Sequence, residues 1–459
     1  MVDSQQTSGL RERIQKAGLW TIAVHVTESG VRLATSLVMT RLLLPQDFGL
    51  MAVAITIPVG LGMLSDIGIR SNVIRKSGVL GTDFLTTAWT VQVLRGVLLW
   101  GFTLLLAGIL YLPHVRRAIP AESILSHPQL PLLVAAMGSI LAISGFESVN
   151  IYVQERDIQF KPLALRSIIS KIIPVPIMVT WGYLYPSVWS LVAGALVAQA
   201  ILIVSSHISI RGPSMRFTWQ RDHAKNLLGD GRWITLSTAG TFLVTQGDRL
   251  ILAALLTATQ MGLYAIAWTL IDVVRSFLLR FHAQITLPVL SELFRTRPAS
   301  AIEAYYKYRA PIDALTFTTV GLLWIAAPEI VVFLFDKRYE EAGWILQVLA
   351  LSIASFPYLM INLAFIANDE WRSFAINSAI MTCSFFISVL IGYFLYGWTG
   401  VIWGIALYSW PAALILLARA HRRGWVVPIR EIAMLPFALV GIGFGFAAKW
   451  ILQWIGTVL

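Results

Sequence analysis

Long apolar runs separated by short polar breaks set the pattern of this chain. Thirteen runs approach or exceed the roughly 20 residues a helix needs to cross a bilayer. They cover about residues 19–43, 48–69, 84–110, 130–152, 163–184, 187–208, 233–257, 261–287, 311–335, 343–367, 373–395, 399–419 and 432–455. The first and the seventh carry polar and charged residues inside. The tightest break is Pro45-Gln46-Asp47, between the run ending at Arg41-Leu42-Leu43-Leu44 and the run opening at Phe48-Gly49-Leu50. So short a break predicts an antiparallel hairpin. Pro45 disfavours helix at the residue before it. Asp47 suits the cap of the next helix and its positive N-terminal end.

The pattern repeats. Shifted by 213 residues, Leu42-Leu43 falls on Leu255-Leu256, and Phe48 to Ala54 falls on Met261 to Ala267 without a gap. Thr56 meets Thr269, Gly18 meets Gly231 and Trp20 meets Trp233. Leucine and alanine match by composition in any two membrane helices, whereas aligned glycines and tryptophans point to an internal duplication. Two copies of one membrane unit predict pseudo-symmetric halves, as in many transporters. The fold class expected is an all-α polytopic membrane protein: two six-helix lobes plus one extra C-terminal membrane helix. The organisation expected is an N-terminal cytosolic arm over 1–18, a lobe over 19–208, a basic cytosolic linker over 209–232, a second lobe over 233–420 and an extra membrane segment over 421–459.

Composition agrees. The 459 residues are 57% hydrophobic and 13% charged, with mean hydropathy +0.73, a balance foreign to soluble domains. The net charge of +11 is explained without nucleic acid. With the N-terminus in the cytosol, 22 lysines and arginines fall in cytosolic segments, against Arg116, Arg117, Lys337 and Arg338 outside, as the positive-inside rule requires. The lone cysteine, Cys383, allows no disulfide framework. The seven histidines are scattered with no pair four residues apart, and no P-loop or paired-cysteine spacing occurs. No metal, cofactor or enzymatic chemistry is expected. Gly441, Gly443 and Gly445, in the last run, follow no strand and read as small residues packing helix on helix.

Arg41-Leu42-Leu43 with Pro45, Asp47-Phe48-Gly49 and Ser65-Asp66-Ile67-Gly68 resemble the opening hairpin of bacterial polysaccharide flippases. These form the polysaccharide transporter family of the multidrug/oligosaccharidyl-lipid/polysaccharide exporter superfamily. Gly247-Asp248-Arg249 and Gly262-Leu263-Tyr264-Ala265 resemble the start of that family's second half, and Pro288-Val289-Leu290-Ser291 the end of its next helix. The resemblance implies a multi-pass inner-membrane flippase. Its substrate would be a polyprenyl-diphosphate-linked oligosaccharide for exopolysaccharide or surface polysaccharide synthesis. Its partners would be membrane lipid and a polysaccharide polymerase with export machinery. A drug or metabolite antiporter of the same superfamily is the first alternative, although a cation exporter wants an acidic cavity. A non-transporting component of a polysaccharide synthase is the second, and the internal repeat speaks against it.

Charges inside the runs are the candidate chemistry. A charge at mid-bilayer costs about 3 kcal/mol even on the lenient insertion scale, so it faces water, a counter-ion or a substrate. Arg32, Arg95, Lys171, Arg249 and Arg275 lie deepest. Converging on one cavity, they would hold an anion such as a pyrophosphate. Glu28, Asp248 and Asp272 are the gating or ion-pair candidates, with Glu147, Asp313 and Glu329 as further acids. The same residues also read as pairs holding helices in register. Glu28 is four residues from Arg32, and Asp272 is three from Arg275. Arg41 and Arg166 are near enough to the interface to snorkel. Pro174 and Pro176 follow Lys171 and predict a bend.

The charge bias makes a topological prediction. A single cysteine introduced between Pro113 and Pro128 is modified by an impermeant maleimide added outside intact cells, and one between Arg211 and Arg221 is not. Strong labelling of the second would refute the orientation.

Overall fold

The hairpin forms where the break predicts it. In the computed structural model α1 (Val2–Leu42) is followed, after two residues, by α2 (Pro45–Leu64). The structure describes residues 2–458 apart from 77, 79, 297–300 and 368–369, and all regular elements among the described residues are helices. The N-terminal arm is helical and continuous with the first apolar run, since α1 starts at Val2.

The chain divides into two compact units, Met1–Gly262 and Leu263–Leu459. In the first unit α2 leads through α3 (Ile69–Arg75), α4 (Thr82–Tyr111) and the short α5 (Pro113–Ala118) to α6 (Leu130–Gly145) and α7 (Asn150–Arg156). Then come α8 (Phe160–Ile172), α9 (Pro174–Leu184), α10 (Trp189–Ile208) and α11 (Arg221–Leu255). The bend foreseen at Pro174 is the junction of α8 and α9. The stretch 209–232 is extended only as far as Gln220; from Arg221 it is already α11. That helix packs within the first unit: the Thr235 and Thr238 hydroxyls donate to the carbonyls of Asp66 (2.8 Å) and Met63 (2.6 Å), and Gly60 leaves room for the Phe242 ring.

The duplication is visible in atomic detail. Leu44 N donates to the Asp47 carboxylate at 3.0 Å, and Thr257 N donates to Gln260 Oε1 at 3.1 Å. These are the same positions 213 residues apart, each tying the residue before a helix to that helix's first turn. One turn deeper, the Thr56 hydroxyl bonds the Ala52 carbonyl at 2.7 Å, and that of Thr269 bonds the Ala265 carbonyl at 2.8 Å. The two hairpin tips also touch. A Cβ at Gly49 would strike the carbonyl of Ala258, and one at Gly262 would strike the carbonyl of Pro45. Ala258 is the 213-shifted counterpart of Pro45, and Gly262 that of Gly49, so the contact is reciprocal.

After α12 (Ala258–Thr296) the second unit continues with α13 (Ala301–Leu334) and α14 (Ala342–Ala354), then the short α15 (Phe356–Leu359) and α16 (Asn362–Ala367). It ends with α17 (Trp371–Leu407), α18 (Trp410–Arg422), α19 (Pro428–Ile432) and α20 (Pro436–Val458). α17 is not one rod. Tyr396 and Gly397 leave helical geometry, Gly397 with φ 59°, which a side chain would resist. The backbones of Gly392 and Gly400 then meet, and a Cβ at Gly404 would stand 2.5 Å from the Ser388 carbonyl. The stretch is thus a hairpin of two antiparallel passes.

Among the described residues nine helical stretches are long and apolar enough to cross a membrane, or ten with α6 and α7 taken as one bent span. One of the nine, Arg372–Arg422, contains the hairpin just described. The remaining two apolar runs of the sequence, the first and the seventh, lie in α1 and α11, whose polar residues keep them below that hydropathy. The protein is an all-α, multi-pass membrane protein. α20 lies along α13 with backbones in contact: a Cβ at Gly441 would strike the Thr318 carbonyl, and one at Gly445 would sit 2.8 Å from Ile325 Cβ. Gly443 has nothing within 4 Å, so two of the three glycines act as packing residues. Gly441→Val is therefore expected to destabilise the protein by at least about 1–3 kcal/mol, read as a lower melting temperature in detergent, while Gly443→Val leaves it unchanged. Equal effects would remove the α13–α20 seam from the account.

Candidate functional site

Two of the five deep cations lie on adjoining helices, α1 and α8. The Ser167 hydroxyl donates to Glu28. Farther along, a Cβ at Gly182 would lie 3.0 Å from the terminal carbon of Met39 and 3.5 Å from Leu42. Contacts advance together on both partners, so α1 and α8–α9 run in the same direction. Arg32 stands four residues beyond Glu28 and Lys171 four beyond Ser167, about one turn in each case. Both are exposed. Glu28 thus bonds across to α8.

The other cations are held differently. Arg95 closes the C-terminal end of α2: it donates to the Gly62 carbonyl and, at 3.0 and 3.2 Å, to the Ser65 hydroxyl. Arg249, half-buried on α11 beside Asp248, donates to Gln246 Oε1 at 3.1 Å. In the second unit Arg275, one turn from Asp272, lies over the Trp268 ring, its guanidinium carbon 5.7 Å from the centroid.

A polar centre lies where α6 stops and α7 starts at 66° to it. Breaking a helix frees peptide groups that need other partners, the more so where water is scarce. Side chains of neighbouring helices take them up. Gln92 on α4 donates to the carbonyls of Gly145 (3.0 Å) and Glu147 (2.9 Å). The Phe146 carbonyl accepts from Trp89 Nε1 at 3.2 Å and meets His207 Nε2 at 2.8 Å. Ser148 N donates to the Ser206 hydroxyl at 3.0 Å. Close approach of α4 and α6 rests on Gly96, whose Cβ would strike the Leu141 carbonyl. Arg166 does not snorkel, as its position near a run's end had implied. It is buried, bonds Leu202 O at 3.1 Å and pairs with Glu147. In the sequence only Glu147 and Arg166 signalled this centre; Gln92, Trp89, Ser206 and His207 look like ordinary helix texture.

The second unit holds a buried charge cluster. Arg309, counted by sequence among cytosolic loop cations, is 2% exposed. Its guanidinium binds both oxygens of Glu431, at 2.9 and 2.7 Å, and reaches Asp313 at 2.6 Å. Tyr306 donates to Glu431 at 2.8 Å and accepts from Val427 N at 3.0 Å. These bonds fasten α19, and so the approach to α20, onto α13. Glu431 went unnoticed in the sequence because it sits in a short charged segment that reads as a loop.

Residues 38–344 match the family model described as polysaccharide biosynthesis protein. The chain belongs to this family. The succinoglycan biosynthesis transport protein ExoT of Rhizobium meliloti (strain 1021) is 22% identical over 334 residues, 72% of this chain and 65% of its own. The lipopolysaccharide biosynthesis protein WzxC of Escherichia coli (strain K12) is 21% identical over 343 residues, 74% and 67% respectively. The chain thus spans about two thirds of the length of these relatives. In three dimensions it is similar to the lipid II flippase MurJ in an inward closed conformation: TM-score 0.70, 16% identity, 95% of this chain and 98% of that one. This likeness establishes the fold. The polysaccharide biosynthesis family is thus reached from the opening hairpin and from the match over residues 38–344 alike.

The two ion-pair environments predict different costs in this family member. Glu431→Ala leaves Arg309 buried without its main partner and is expected to cost about 3–5 kcal/mol. Glu370→Ala removes a half-exposed pair with Arg423 and a bond from Ser373 and is expected to cost at most about 1 kcal/mol. Chemical denaturation in detergent micelles measures both.

Proposed function

We propose that this protein is a flippase for a polyprenyl-diphosphate-linked oligosaccharide. The substrate is made on the cytosolic side and moved across the inner membrane for exopolysaccharide or surface polysaccharide assembly. The observation that carries the reading is that Arg32 and Lys171 are both exposed, each about one turn beyond the bond that joins α1 to α8. Two exposed cations on adjoining helices expected to cross the membrane suit a dianion. Arginine offers a planar fork to phosphate oxygens and lysine a compact charge. The bond from Ser167 to Glu28 fixes how the two helices face each other. A cationic drug would be repelled by such cations, which weighs against the antiporter reading.

In this reading the lipid tail stays in the bilayer, the sugar crosses through a wet path, and no covalent bond changes. Arg249 and Arg275 are the candidate cations of the second half of the repeat, Asp248 and Asp272 their gating or ion-pair acids, and transport proceeds by alternating access. The N-terminus lies in the cytosol, and a polymerase with export machinery takes the product outside. The family, the transport role in ExoT's name and the fold shared with a lipid II flippase support the reading.

Arg32→Ala and Lys171→Ala are each expected to lower translocation of a lipid-linked oligosaccharide in inverted vesicles by about tenfold or more, at normal membrane levels. Arg249→Ala and Arg275→Ala are expected to follow. Lys171→Arg keeps transport, while Arg32→Lys restores only part because the fork is lost. Normal transport by the alanine variants, or disappearance of the protein from the membrane, would make these cations structural and end the anion-site reading.

A further inference from the structure

Between α10 and α11 the chain runs as an extended strap over residues 211–220. Its backbone is fastened to the first unit at several points. Thr218 N and Gln220 N donate to the hydroxyls of Thr90 (3.0 Å) and Thr87 (3.3 Å) on α4. Asn150, the first residue of α7, donates to the Pro213 carbonyl at 3.0 Å. Gly212 passes so close to the Asn150 amide that a side chain there would collide with it. Ile210 is buried, Met215 packs on the cluster around Trp89, and the Phe217 ring lies 4.9 Å from that of Trp89.

What the strap shows to the outside is of another kind. Arg211, Arg216 and Arg221 are exposed, and among the described residues none of the three is ion-paired. Between them Phe217 is 66% and Trp219 56% exposed. The bonds to Thr87 and Thr90 set the strap about two turns into α4, a membrane-crossing helix that begins at Thr82. The end of a membrane-crossing helix lies near the lipid headgroups. Aromatic rings favour this level, and arginines beside them meet lipid phosphates with a fitting fork. An extended backbone pinned at intervals holds these groups without further ordering on binding.

We propose that the strap from Arg211 to Arg221 is a binding site for anionic phospholipid headgroups. Arg211, Arg216 and Arg221 hold the phosphate, and Phe217 and Trp219 enter the interface beside the glycerol. The site stands apart from Arg32 and Lys171, and the proposal holds whatever the protein carries.

The test uses the full chain in nanodiscs containing a photoactivatable phosphatidylglycerol or, in parallel, a photoactivatable phosphatidylethanolamine. Cross-linked peptides are mapped by mass spectrometry. Labelling of peptides 209–221 by the glycerol lipid is expected to exceed that by the ethanolamine lipid by about fivefold or more, and to fall at high salt. R211Q/R216Q/R221Q loses the excess, while K337Q/R338Q keeps it. Equal labelling by the two lipids in the wild-type chain would overturn the proposal, and that comparison needs no variant to fold. An excess that survives the triple substitution, in a protein melting like wild type, would overturn it as well.

Discussion

A peptide group released from a helix inside a membrane has no water to bond, and each such group in hydrocarbon costs several kcal/mol. Much of this structure follows from meeting that constraint. Where α6 gives way to α7, Gln92, Trp89, Ser206 and His207 take up the freed backbone groups. Where α2 ends, Arg95 covers the Gly62 carbonyl. Where the two hairpins turn, Asp47 and Gln260 hold the amides of Leu44 and Thr257. Polar residues that look misplaced in an apolar run are thus often the partners of a break elsewhere, and only some are left over for a substrate.

That distinction explains what could be read from the chain. Helix positions were legible because an apolar run bounded by Pro45 and Asp47, or by Tyr396 and Gly397, is local information. The repeat was legible because glycines at 49 and 262 and threonines at 56 and 269 perform the same local tasks. Arg95 was legible as a deep cation but not as a helix cap, since its partners lie 30 and 33 residues away. Arg309 looked like a loop charge because Glu431 is 122 residues distant. Gln92 carried no signal at all, since the break it serves is more than 50 residues downstream. The contact between α1 and α8 was equally hidden, since Glu28 and Ser167 lie 139 residues apart.

The charges differ in kind. Arg166 with Glu147 and Arg309 with Glu431 are buried pairs with several hydrogen bonds each, and losing one member strands the other. Arg32 and Lys171 stand exposed. Burial therefore separates ionisable residues locked between helices from those open to their surroundings, a division that spacing along the chain does not make.

The reciprocal seat of Gly49 against Ala258 and Gly262 against Pro45 bears on how such a chain diverges after duplication. Each copy of the tip is the mould for the other, so a bulky side chain arising in either one collides with a backbone that the other cannot withdraw. The two copies are free to drift apart in charge, as they have: Arg32 has Thr245 as its counterpart. At the seam they are bound to one another's history, and a change tolerated there has to be matched in the sister copy or not occur.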